Sequence, residues 1–204
     1  MGQEILCTAE FEGKTSEGRA YLETDHMLFR GDFRVSIPLA SLHTIRSHDG
    51  QLHLAGPDLN ITLALGAYSD KWAAKIRNPK TLLDKLGVKT GSCVAVLGVN
   101  DEAFLAQLLA RVPDALIEIT RPGLDLLFYA ADSPEQLARL HELKQLLQAT
   151  GAIWVVSLKG KAALVKDADV IAAARAAGLV DTKVVGFSET HTALKFVIRV
   201  ADRK

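Results

Sequence analysis

Ser188-Glu189-Thr190-His191 puts a hydroxyl, a carboxylate and an imidazole within four positions near the end of a 204-residue chain. Those groups could serve acyl transfer if they converged from separate elements, with the serine on a strained turn beside an oxyanion hole. They are too close in sequence for that orientation, and no Gly-x-Ser-x-Gly is present. The stretch reads as a polar turn. Ser188 and His191 stay on the list as ligand-binding candidates, because an imidazole titrates near neutrality and can bind or transfer a proton.

Three histidines, His43, His48 and His53, suggest a metal set by their spacing. Asp49-Gly50 defines a two-residue hairpin, because a type I′ turn needs positive φ at both positions. That register sends His43 to the opposite face from His48 and His53, and sets Arg46 across from His53. A cation beside a would-be metal site is unfavourable, so no metal ligands are expected. Lys159 and Lys161 flank Gly160 and could meet an anionic group, or could be a solvated loop. The segment from Lys71 to Lys89 holds six basic residues against Asp70 and Asp84. A phosphate footprint needs such clustering. Yet residues 1–78 carry 8 basic and 10 acidic side chains and the remainder 16 and 14, so nucleic acid is not expected.

Composition sets the outer limits. Apolar residues make up 49% and charged residues 24%, and the 24 basic and 24 acidic side chains cancel. That balance is ordinary for a globular chain and gives no whole-molecule field. Cys7 and Cys93 are far apart and belong to no cysteine motif, which suits a reducing compartment. No apolar run approaches the ~20 residues that span a bilayer. A cytoplasmic protein with an unidentified protein or small-molecule partner is expected.

The elements that would hold these residues fall into two halves. Up to about residue 65 the chain is a series of short β-rich runs, most of them punctuated by Gly, Asp or Pro. AYSDKWAAKIRNP then places Trp72, Ala73 and Ile76 on one helical stripe, with Ser69 or Asp70 as cap and Pro79 as stop. From Val94 strands alternate with helices, which implies a parallel sheet. Ser133-Pro134-Glu135-Gln136 opens a helix expected to run to Gly151. TKVVGF and ALKFVIRV are too close together for a crossover and must be antiparallel. The expected division is residues 1–78, a connector over 79–91, and residues 92–204. Ligands of an open sheet lie outside the carboxyl ends of its strands. Those ends bring Gly98, Asn100, Asp132, Lys159 and Lys161 to one rim with Ser188 and His191.

The run LETDHMLFRGDFRVSIPLASLHTI resembles the pleckstrin-homology-like, GRAM-type domains, and this implies an N-terminal β-barrel closed by a helix. The helix, AAGLVDTKV and terminal hairpin resemble the end of class I S-adenosylmethionine-dependent methyltransferases. Over nearly its whole length the chain is similar to an uncharacterised bacterial family that shares KTSEGRAYLETD, YAADSPEQLARL and AAGLVDTKVVGFSETHTALKFVIR. That family implies no reaction. Working methyltransferases carry a glycine-rich loop after the first strand and an acid after the second. Here the first strand and loop, VAVLGVNDEAF, hold Gly98 alone; Asn100 and Asp101 read as the start of a helix, and Glu118 as a residue inside its strand. The interval from Val99 to Leu124 has room for one helix and one strand. The resemblance therefore implies a truncated Rossmann-like α/β sheet in an α+β two-domain protein. The expected function is non-catalytic binding or scaffolding without a cofactor. The alternatives are a divergent S-adenosylmethionine-dependent methyltransferase and a sensor of a small anionic metabolite.

Overall fold

The computed structural model describes residues 3–203. The chain forms two compact units, one up to Lys80 and one from Thr81. Among the described residues no helix is long and apolar enough to cross a membrane.

The first unit consists of β1 (Gln3–Phe11), β2 (Lys14–Leu22), β3 (His26–Arg30), β4 (Arg34–Pro38), β5 (Thr44–His48), β6 (Gln51–Gly56), β7 (Leu59–Ala64) and the helix α1 (Ser69–Arg77). The strands make one antiparallel sheet of seven in the order β4-β3-β2-β1-β7-β6-β5. Asp49 and Gly50 have φ of 48° and 76°, and the hairpin pairs His48 with Gln51 and Arg46 with His53. Alternation buries Leu52, Leu54, Ile61 and Leu63 beneath Trp72, Ala73 and Ile76 of α1. Neither Ser69 nor Asp70 caps α1; its N-cap is Tyr68, and Asp70 accepts a hydrogen bond from Ser47 at 2.7 Å.

The expected closed pleckstrin-homology-like barrel does not form. β4 and β5 are the two ends of the sheet and do not pair with each other. The physical reason is visible at β5: Arg77 of α1 donates from Nη2 and Nε to the Ile45 carbonyl at 2.7 and 3.2 Å. A side chain takes up one of the carbonyls that a closing strand would need.

The second unit consists of α2 (Leu82–Leu86), β8 (Val94–Leu97), α3 (Glu102–Arg111), β9 (Leu116–Ile117), β10 (Leu124–Ala130), α4 (Pro134–Ala138), α5 (Leu140–Leu143), β11 (Leu147–Leu158), α6 (Asp167–Ala176), β12 (Leu179–Gly186) and β13 (His191–Ile198). Its six strands are ordered β12-β13-β11-β10-β8-β9. Strands β8 to β11 are parallel neighbours, and β13 runs antiparallel between β11 and β12. One face packs on Leu137, Leu140, Leu143, Val170 and Ala174 of α4, α5 and α6. The other packs on Leu83 and Leu86 of α2 and on Phe104 and Leu108 of α3.

Two expected elements differ. The stretch 79–91 is not a plain connector, because Leu83, Leu86 and Val88 are buried in the second core. Thr81 and Asp84 form a capping box on α2, and Trp154 of β11 donates from its buried indole to the Leu86 carbonyl at 3.0 Å. The helix capped by Ser133 ends at Ala138; a second short helix follows to Leu143, and after a 3-10 turn the chain is strand from Leu147. Gly151 is therefore mid-strand, where an added Cβ would lie 2.6 Å from the Leu124 carbonyl oxygen. Close backbone approach needs a glycine there.

Trp154→Phe keeps the ring's packing but strands a buried carbonyl, so a loss of about 1–3 kcal/mol is expected in urea unfolding. Asp84 has its carboxyl lowered to about 2 by the Thr81 hydroxyl first and by Arg111 next. Because the folded value is depressed, this contribution is present above the unfolded carboxylate value and is lost as pH falls through about 2. An acid titration of unfolding should show Asp84→Asn lessening the pH dependence in that window.

Candidate functional site

The order of the second sheet reverses at β8. The chain leaves β8 through α3 to β9 on one side, and β10 lies on the other. At such a point the loops leaving two neighbouring strands diverge and leave a crevice outside their carboxyl ends. A cleft of about 270 Å³ is found there. Residues 98–101 form one wall, and Ala130, Asp132, Val156, Phe187, Thr190 and His191 complete the lining.

Gly98 follows β8 with φ at +69°, a conformation that favours glycine. Its N–H donates to Glu118 Oε1 at 2.7 Å, across 20 residues of sequence. Glu118 immediately follows the two-residue strand β9 and itself has φ at 56°. A glutamate in the left-handed region is uncommon, and such outliers gather at ligand sites. Asp101 is the N-cap of α3 and accepts from the Phe104 N–H at 2.9 Å, while Asn100 just before it is exposed. Asp132 follows β10, accepts from the Leu158 N–H at 2.8 Å, and donates from its own N–H to Gln136 at 2.7 Å. Each of these carboxylates has one oxygen fixed by a backbone N–H. None is neutralised by an ion pair among the described residues.

The far end of the cleft is apolar. Val156 and Phe187 are buried, and the Phe187 ring lies 4.8 Å from Phe104, which in turn meets Phe128 at 5.0 Å. His191 opens β13 there, with Nδ1 at 2.8 Å from Thr190 Oγ1.

Of the residues singled out from the sequence, Gly98, Asn100, Asp132 and His191 share this cleft. Ser188, Lys159 and Lys161 do not line it. Lys159 is turned onto the 188–190 turn, donating from Nζ to the Ser188 carbonyl at 2.8 Å and from its backbone to Thr190 at 2.9 Å. Lys161 is exposed in a separate 3-10 turn. Ser188 Oγ accepts the His191 N–H at 3.2 Å and lies 3.4 Å from Nδ1, so it braces its own turn. Asp101, Phe187 and Thr190, which also line it, were not among those candidates, and neither was Glu118, which meets the cleft wall through the Gly98 N–H. The signal for Glu118 was its distance of 20 residues from Gly98, the offset at which an acid reaches ribose hydroxyls in nucleotide-binding sheets.

Solved structures with a similar arrangement include a methyltransferase dependent on S-adenosylmethionine from Aquifex aeolicus, at 18% identity and a TM-score of 0.47, covering 57% of this chain and 88% of that one. A TehB-like S-adenosylmethionine-dependent methyltransferase from Corynebacterium glutamicum matches at 13% identity and 0.40, covering 65% and 96%. Fibrillarin from Aeropyrum pernix, solved with natively bound S-adenosylmethionine, matches at 14% and 0.39, covering 76% and 99%. No curated protein matches the chain in sequence. Residues 84–200, which hold the whole cleft, match one family model, and the chain belongs to that family, the proteins of unknown function termed DUF3052.

Proposed function

We propose that the cleft at the β8 switch point binds a nucleoside that carries positive charge, and that S-adenosylmethionine is its ligand. The observation that carries this reading is the Glu118 carboxylate on the Gly98 N–H. It fixes an acid at the end of the strand beside a tight turn and leaves Oε2 for a ribose diol, the arrangement by which α/β sheets hold nucleosides. The second support is the local charge. Asp101, Asp132 and Glu118 each keep one oxygen away from their backbone partner, and Lys159 is engaged outside the cleft. A sulfonium and an ammonium suit such a field better than a phosphate does. The third is the resemblance of the α6–β12–β13 ending to class I methyltransferases.

Gly98 and Asp132, which line the cleft, would hold the cofactor, with Glu118 beside it on the Gly98 N–H; the cofactor supplies an electrophilic methyl group when bound. A second reading, methyl transfer itself, is favoured by His191. It borders the apolar end of the cleft, where Val156 and Phe187 can exclude water, and its ring is held by Thr190. An imidazole so placed can take a proton from a hydroxyl or amine. Without an acceptor at that end the protein binds and does not turn over.

A ligand at a hundredfold excess over its Kd raises stability by about 2.7 kcal/mol. Thermal unfolding with S-adenosylmethionine, S-adenosylhomocysteine, adenosine and AMP should show the largest rise with S-adenosylmethionine. Glu118→Gln, which retains an acceptor for Gly98, should weaken binding by about tenfold, or ~1.4 kcal/mol. Absence of any shift with these compounds at millimolar concentration would sink the nucleoside reading. A larger rise with AMP would move the assignment to an anionic nucleotide. Gly98→Ala forces a side chain into positive φ and sets a Cβ 3.4 Å from that of Ala130. A loss of about 1–2 kcal/mol is expected in unfolding, together with weaker binding.

A further inference from the structure

The outer face of the first unit's sheet carries arginines that strand register brings into line. Arg19 on β2 stands opposite Arg30 on β3, and Arg30 stands opposite Arg34 on β4. Leu6, exposed on β1, heads the row opposite Arg19. Neighbouring strands are about 4.8 Å apart, and like charges placed directly opposite destabilise a sheet. The row is relieved at its first two arginines. Glu4 pairs with Arg19, and the Arg30 guanidinium lies 5.3 Å from the centroid of the Tyr21 ring. Arg34, the outermost, forms no ion pair among the described residues. Glu17 lies elsewhere on β2, opposite Thr8, and Asp32 lies in the β3–β4 turn; neither pairs with the row.

β4 is at the same time an open edge, since it pairs with β3 alone. Its exposed and covered residues alternate, with Arg34 and Ser36 outward and Ile37 buried, and Pro38 ends it. A strand laid along this edge would set a side chain in the next place of the row, beside Arg34. We propose that β4 accepts a strand from an acidic peptide whose carboxylates extend the row Arg19, Arg30, Arg34. Backbone hydrogen bonds to the edge supply affinity in this mode, and alternate side chains supply selectivity. The other acids on this face decide against a nucleic acid. Glu4 and Glu10 on β1 and Glu17 on β2 flank the inner part of the row, where a phosphate chain crossing the sheet would meet them. A strand added at the edge meets Arg34 first. The proposal is independent of the cleft in the second unit and stands or falls without it.

The test uses the full chain and a fluorescein-labelled peptide of alternating Glu and Val, about six residues long to match a typical strand. Fluorescence anisotropy should show saturable binding that falls at least about tenfold in Arg34→Glu, while Arg34→Lys retains most of it. Arg46→Glu, on the opposite edge strand, should leave it unchanged. Hydrogen exchange should slow at the β4 amides when the peptide is added. Equal binding of a Lys–Val peptide, unchanged binding in Arg34→Glu, or unprotected β4 amides would each overturn the proposal. Binding of single-stranded oligothymidine with the same dependence on Arg34 would also overturn it, by assigning the row to nucleic acid.

Discussion

The cleft exists because the sheet reverses direction at β8. A crossover between parallel strands is right-handed, so a helix that precedes a strand on one side packs on one face, and helices serving the other side pack on the opposite face. α3 accordingly lies with α2 on one face, and α4 to α6 lie on the other. The loops after β8 and β10 are pulled apart by this arrangement. Gly98 and Asp132 stand on either side of the gap, and neither residue creates it.

The carboxylates at the gap are held by backbone hydrogen bonds. Asp101 and Asp132 in its lining accept the Phe104 and Leu158 N–H groups, and Glu118, outside the lining, accepts that of Gly98. A carboxylate fixed in this way has its direction set before any ligand arrives, and it keeps its charge. Pairing with lysine or arginine would have fixed the same groups while cancelling the field. Lys159 is close in sequence to Leu158, yet its ammonium is spent on the Ser188 carbonyl and stiffens the turn that carries Thr190 and His191. The polar turn thus contributes one wall of the cleft through His191, while its serine serves the turn itself.

Local signals in the sequence were sufficient where the structure is local. Asp49-Gly50 fixed a hairpin, and the short link after Gly186 fixed the antiparallel β12–β13 pair, because turn chemistry and chain length leave no alternative. Glu118 was hidden because β9 pairs through only Leu116 and Ile117, so the run ALIEIT reads as a longer strand than it is. The helix expected up to Gly151 failed for a related reason. LLQATGA is compatible with either state, and its pairing with β10, with a register shift between Leu124 and Leu126, decides for strand. The open end at β5 is met by Arg77 reaching Ile45 across 32 residues, a contact that no window of sequence displays.

The edges of the two sheets show how these units limit their own association. An unpaired strand invites another strand, and proteins blunt it by covering, bulging or shortening it. β5 is covered by α1 and Arg77. β9 is two residues long. β12 is irregular between Asp181 and Lys183, and the Lys183 ammonium is drawn to the Lys85 carbonyl at 2.6 Å. β4 is protected differently, by Pro38 at its end and by Arg34 near its start. A cation on a short edge disfavours pairing with an uncharged or basic strand. The same cation attracts a strand of opposite charge. Of the four edges, β4 alone is guarded by charge, where the others are guarded by geometry.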